Sequence, residues 1–348
     1  MRKEWIRLNA QIQSAVSAVG KKEKEGPLGA CFDLHDPDDL FGAKTWESAE
    51  SEMQRLTFNT LLAQSGKTER EIGALFAGDL LNQCVGSAYG LLDFDVPYFG
   101  LYGACSTCAE GLLLASVMVT HRVFSCCGAV TSSHYCSAER QFRTPLEYGA
   151  QRSPTAQWTV TGSGAFLLEN ADDADLPADG AVILRGMPGK VVEKGINDAG
   201  NMGAAMAPAA LDTLVRFFQS TGESPDAYDL IVTGDLGFEG GAILQELMRA
   251  EGYPMGGRYT DCGQLIYDRK KQDVHGGGSG CGCSAVVLAS HLVPQIEAGG
   301  IRRMLFMSTG ALMSPDSIKQ GQSIPGVAHL LEIVSKSSLR NGKDGFSL

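Results

Sequence analysis

Apolar residues in this chain fall into short dense runs separated by glycine-rich and polar turns. Ile72 to Ala77, Pro97 to Leu101, Phe124 to Ser133, Val160 to Leu168, Ala181 to Arg185, Asp229 to Thr233 and Met304 to Ser308 are short and apolar on both faces. That is the pattern of strands buried between layers of helix. Longer stretches with apolar residues three and four apart predict helices. Trp46 to Gln64 carries Ala49, Met53, Leu56, Leu61 and Leu62 at this spacing and ends at Gly66. Ala109 to Val119, Met206 to Thr221 and Gly241 to Glu251 read the same way, and Ser284 to Leu292 is a buried apolar element. Residues 1–26 read as irregular and charged, with Lys21 to Gly26 as a solvated loop.

The order of elements repeats. Ala77-Gly78-Asp79-Leu80 in one half parallels Thr233-Gly234-Asp235-Leu236 in the other. Two copies of a βαβ-rich unit with right-handed crossovers follow, divided into residues 1–185 and 186–348, with the glycine-rich Gly186 to Gly203 between them.

Composition narrows the function classes. The 348 residues are 44% hydrophobic, enough for one large core shared by both halves. A net charge of −11 argues against nucleic-acid binding, and an anionic ligand would have to be held by local groups against the global field. No segment has the ~20 apolar residues of a membrane span, and no signal peptide is legible. A soluble chain with its ten cysteines reduced is expected.

Several segments could carry chemistry. Gly103-Ala104-Cys105-Ser106 lies between a strand and an apolar helix. A thiol there would meet free N–H groups and the positive end of the helix dipole, which lower its pKa; the alternative is a packed structural cysteine. Cys105 and Cys108 form C-x-x-C, so a redox dithiol is a further alternative. Cys126-Cys127 and Cys281-Gly282-Cys283 lack zinc-site spacing and suit tight packing. Gly276 to Ser284 is not a P-loop, but its glycines could let N–H groups cradle an anion; a surface loop is the alternative. Thr131 to Arg143, with His134, Arg140 and Arg143, is either the polar wall of a pocket or an ordinary surface loop.

These motifs, with Gly26–Gly29, Ala77–Gln83, Thr131–His134, Ala138–Arg143, Thr159–Ala165, Met206–Ala210, Gly277–Cys281 and Thr309–Leu312 in order, resemble the thiolase superfamily and, within it, the stage V sporulation protein AD family. The likeness runs from about Lys21 to about Glu332. It implies a thiolase fold: two pseudo-symmetric halves forming a five-layer αβαβα arrangement, with Cys105 at the nucleophile position. Ketosynthase III-type members add a His and an Asn that stabilise the thioester oxygen. Here Gly234 stands at the His position of Val232 to Leu236, and Gly278 to Cys281 has no Asn. The resemblance therefore implies binding rather than condensation.

The closer family implies recognition of pyridine-2,6-dicarboxylate (dipicolinate) or its calcium chelate. The protein would belong to a spore membrane transport complex as a cytoplasmic or forespore component, peripheral to the spore inner membrane, with membrane-protein partners and, by analogy, as a homodimer. No resident cofactor or metal is implied; calcium would travel with the ligand. The ligand residues expected on this reading are Cys105, Ser106, His134, Arg140 or Arg143, Ser279, Gly280 and Cys281, with Asp235 facing a bound calcium ion. The alternative is a ketosynthase III-like acyltransferase or thioesterase using Cys105.

Overall fold

The structure, a computed structural model, describes residues 4–142 and 151–340. Ten strands carry the architecture. The first half holds β1 (Ile6–Val19), β2 (Ala74–Gly78), β3 (Tyr98–Gly100), β4 (Cys126–Ser133) and β5 (Gly162–Asn170). The second holds β6 (Ala181–Met187), β7 (Leu230–Thr233), β8 (Tyr259–Asp261), β9 (Arg303–Ala311) and β10 (Gly326–Ser335). Their spatial orders are β3-β2-β4-β5-β1 and β6-β10-β9-β7-β8. Each strand of the second half occupies the place of the strand five earlier. Parallel and antiparallel pairings match as well. Antiparallel pairing of β1 with β6 joins the halves.

The helices obey the same symmetry. α1 (Trp46–Ser65) follows β1, α2 (Val85–Gly90) follows β2, and α3 (Thr107–Thr120) follows β3. α4 (Tyr135–Phe142) follows β4. In the second half α5 (Met202–Thr221), α6 (Gly237–Ala250) and α7 (Cys281–Val287) take the places of α1, α2 and α3. α1 covers one outer face, and α5 packs on β9 and β10 at the other. α3 and α7 touch strands of both halves and form the middle layer. The largest core cluster lies there, joining Phe166 of β5 and Phe306 of β9 through Leu112, Leu113 and Val286. Helix, sheet, helix, sheet and helix therefore stack as the thiolase-like arrangement requires.

Two expectations fail at the N-terminus. Residues 6–19 form not an irregular segment but β1, the strand at the join, because its polar residues are absorbed by the fold. Ser17 exchanges hydrogen bonds with Asp33, and buried Gln11 donates to the Pro177 carbonyl at 3.1 Å. Lys21–Lys24 is a helical turn rather than a solvated loop, and its Glu23 is buried against Tyr267. The second-half strand β6 begins before the expected division at 185/186.

Candidate functional site

Cys105 sits in a tight turn, Ala104–Ser106, that leads directly into α3. Ala104 is held at φ +49°, a left-handed conformation that costs a non-glycine residue free energy and persists only where its surroundings impose it. Those surroundings are specific. Ser106 Oγ donates to the Gly103 carbonyl at 2.7 Å, Thr107 Oγ1 donates to the Ala104 carbonyl at 2.7 Å, and Gly103 N–H donates to Thr107 Oγ1 at 3.0 Å. Gly310 of β9 lets the turn approach, since a Cβ there would lie 2.2 Å from the Gly103 oxygen.

The thiol opens onto a cavity of about 260 Å³. Its wall is mostly apolar, including Leu80, Phe142, Met202, Ala311 and Ile318, with Tyr102, Thr159 and Ser279 as hydroxyl groups and Glu139 and Lys319 as the charged ones. Among the described residues Lys319 carries no ion pair. None of the six histidines of the chain is on this wall.

Behind the thiol lies Asp235, fully buried in the turn after β7. Its carboxylate accepts from Thr309 Oγ1 at 2.8 Å, Ser279 Oγ at 3.1 Å and Gly280 N–H at 2.9 Å, and from the Cys105 thiol. Gly280 can donate there because its φ of +102° turns the N–H inward. Burial, and then the Asp235 carboxylate, hold the Cys105 thiol well above its ordinary pKa. This reverses the expected lowering: the turn at the start of α3 favours thiolate, but desolvation and a neighbouring negative charge outweigh it.

Of the residues expected at the site, Cys105 and Ser279 line the cavity, and Asp235 and Gly280 form the layer behind them. Cys281 packs against Cys105 but gives its S–H to the Ser132 carbonyl at 2.9 Å. The loop from Gly278 to Cys281 does not offer a row of free donors, because Gly280 N–H is spent on Asp235. Asp235 is likewise saturated with donors rather than open to a cation. Among the described residues no cluster of three or more His, Cys, Asp or Glu side chains could hold a metal ion.

Ser106, His134 and Arg140 stand apart from the cavity. The Ser106 hydroxyl is consumed by its own turn. His134 is buried beside Trp46, with Nε2 2.8 Å from the Asp39 carbonyl and Nδ1 accepting from Cys136 N–H, so it is a neutral structural histidine. Arg140 is drawn outward to Glu47 and lines a separate groove with Asn82 and Gln141. Arg143 lies outside the described residues. All ten cysteines are free, and Cys108 is buried beside Ser284 and Ser308.

Residues that sequence reasoning passed over include Lys319, Tyr102 and Gln157. Gln157 donates to the carbonyls of Asp235 at 2.6 Å and Gly278 at 2.8 Å and so ties the two turns together. Nothing in the local pattern marks Lys319, which reaches the cavity from the end of the short helix Pro315–Lys319 after β9.

Comparison with known proteins places this geometry. The family model for stage V sporulation protein AD matches residues 2–334. The chain is 43% identical over 318 residues to stage V sporulation protein AD of Bacillus subtilis (strain 168), covering 91% of this chain and 92% of that one. Among solved structures it is similar to a single-residue variant of OleA of Xanthomonas campestris, with a TM-score of 0.56 at 15% identity over 94% of this chain and 98% of that one. It is also similar to 3-oxoacyl-(acyl carrier protein) synthase III of Xanthomonas oryzae pv. oryzae, with a TM-score of 0.57 at 14% identity, covering 94% and 99%. At such identities the last two show the fold alone.

Proposed function

Because the chain belongs to the stage V sporulation protein AD family, we propose that it is a sporulation protein that binds dipicolinate, as the free acid anion or its calcium chelate, in the cavity over Cys105. On this reading it serves as a non-membrane component of the complex that moves dipicolinate into the developing spore, docked to membrane proteins of that complex at the inner membrane. Among the described residues no helix is long and apolar enough to cross a membrane.

The observation that carries the reading is the partner of the thiol. A condensing cysteine needs a group that favours thiolate and donors aimed at a developing oxyanion. Cys105 instead faces the Asp235 carboxylate, with no histidine on the cavity wall, and so retains its proton. What remains is a small, largely apolar chamber that suits a planar ring, with Lys319 at its edge for a carboxylate. Glu139 and Asp235 make the surroundings acidic, which favours a ligand whose own charge is compensated. The calcium chelate is therefore expected to bind more tightly than the bare dianion.

Calorimetric titration with dipicolinate, with and without calcium, tests this on the wild type and on Lys319→Ala. Saturable binding, weakened about tenfold by loss of one charge-assisted contact, is expected. The alternative, acyl transfer, draws on Cys105 opening into an apolar chamber at the start of α3. Absence of dipicolinate binding together with a stable acyl adduct on Cys105 after incubation with acyl-CoA would replace the first reading with the second. The exposed edge of β3, with Phe99 on it and exposed Leu92 and Tyr102 in the segments before and after it, is the proposed face for a homodimer.

A further inference from the structure

Two carboxyl groups lie side by side beneath the wall that separates the main cavity from the groove of Arg140. Glu50 of α1 and Asp79 of the turn after β2 are both fully buried. A Cβ built on Gly86 would lie 3.2 Å from Asp79 Cγ and 3.4 Å from Glu50 Cδ, so both carboxyls press on the same face of α2. Glu50 accepts from Ser132 Oγ at 2.9 Å and Ser137 Oγ at 2.7 Å. Asp79 accepts from Leu81 N–H at 2.8 Å, Ser87 N–H at 2.7 Å and Ser87 Oγ at 2.6 Å. Gln54 spans the two, its amide donating to Ser87 Oγ at 2.9 Å and Ser132 Oγ at 2.6 Å.

Every one of these donors is neutral. The titratable groups that face the pair are themselves acids: Glu47 on α1, Cys84 before α2, Tyr98 on β3, Tyr102 after it, and Cys281 on α7. The one cation nearby among the described residues, Arg140 on α4, is held by Glu47. Two adjacent carboxylates without a cation in a dry interior cannot both ionise at neutral pH. Burial, and then Asp79, push Glu50 up to about 8, and burial raises Asp79 in the same direction.

Asp79 is also the anchor of a loop under tension. Its bonds to Leu81 and Ser87 bracket Gln83 at φ +59° and Cys84 at φ +52°, two consecutive non-glycine residues in the left-handed region. Such residues stay there only while their neighbours hold them. Leu80 of this loop lines the main cavity, and Leu81, Asn82, Gln83 and Val85 border the groove.

We propose that Glu50 and Asp79 share one proton and act as a proton-controlled latch on the loop 79–87. With the proton in place both anchors hold and the Leu80 wall is closed. Its loss sets two like charges against each other under α2 and releases the loop. The latch does not depend on which ligand the cavity takes.

Hydrogen exchange of the full chain between pH 6 and 9, corrected for intrinsic base catalysis, reads this directly. The opening of the Leu81 and Ser87 amides should rise about tenfold per pH unit up to about pH 8. Glu50→Gln should flatten that rise. A folded Glu50→Gln with the wild-type profile overturns the proposal. Ser137→Ala removes a donor that favours the Glu50 carboxylate, so it should move the rise to higher pH, and an unmoved profile is equally fatal. If millimolar calcium closes the loop at pH 9 in the wild type but not in Glu50→Gln, the pair is a cation site and the proton latch is wrong.

Discussion

At the scale of single residues, Asp235 decides the character of the site. A carboxylate 2.9 Å from Gly280 N–H and in contact with the Cys105 thiol holds the loop and suppresses the thiolate together. Asn at this position can still accept from Gly280 but carries no charge. Asp235→Asn should therefore lower the Cys105 pKa, since removal of a negative neighbour favours the ionised thiol. The pH profile of iodoacetamide labelling at Cys105, read by mass spectrometry, should shift to lower pH by about one unit, or roughly tenfold faster labelling at pH 8. An unchanged profile would mean that burial alone sets the thiol. The same residue shows how far sequence pattern reaches. Thr233-Gly234-Asp235-Leu236 is legible as a motif, but its carboxylate is not legible as the partner of a cysteine 130 positions earlier.

At the scale of elements, the second half-sheet is fastened by charge as well as by apolar packing. Glu332 of β10 is fully buried between Arg185 of β6 and Arg303 of β9, with Arg303 Nε 2.6 Å away. Glu223, just beyond α5, accepts from both arginines and from Tyr228. This network spans three adjacent strands on the face that α5 covers. Removing one partner of a buried ionic cluster leaves the others uncompensated, at a cost of about 3 kcal/mol. Glu332→Gln should lower stability by that amount in urea titration, and a loss below about 1 kcal/mol would show that Glu223 alone satisfies both arginines. The β-strand pairings themselves should persist, because the apolar cluster of Phe217, Leu305 and Leu330 lies under the same strands.

For the whole molecule, the two ends of the long sheet differ. At one end β8 is half covered, while at the other β3 leaves Tyr98 and Phe99 exposed, and Leu92, in the segment that leads into β3, is 70% exposed. An open strand edge ringed by large apolar side chains is a face that proteins cover. Leu92 makes no core packing, so Leu92→Glu should leave the fold intact. It should convert a dimer to monomer in light scattering after size exclusion. A wild type that is already monomeric at micromolar concentration would remove β3 as the docking edge.

Sequence by itself determined the layers. Short runs apolar on both faces and bounded by glycine and polar turns read as strands covered on two sides, and their recurrence with the Gly-Asp-Leu turn marks two similar halves. The position of Cys105 at a strand-to-helix turn was legible for the same local reason. The joining strand β1 was not, because Gln11, Gln13, Ser14 and Ser17 break its apolar alternation, and the groups that take up the buried Gln11 amide, the Pro177 carbonyl and Lys336, lie far along the chain. Neither were the separation of Arg140 and His134 from the cavity, the arrival of Lys319 at its edge, or the pairing of Glu50 with Asp79. Each depends on the direction of a side chain and on the charges that surround it. Those are set by contacts across α1, α4, α7 and the turns between strands, which only the folded chain brings together.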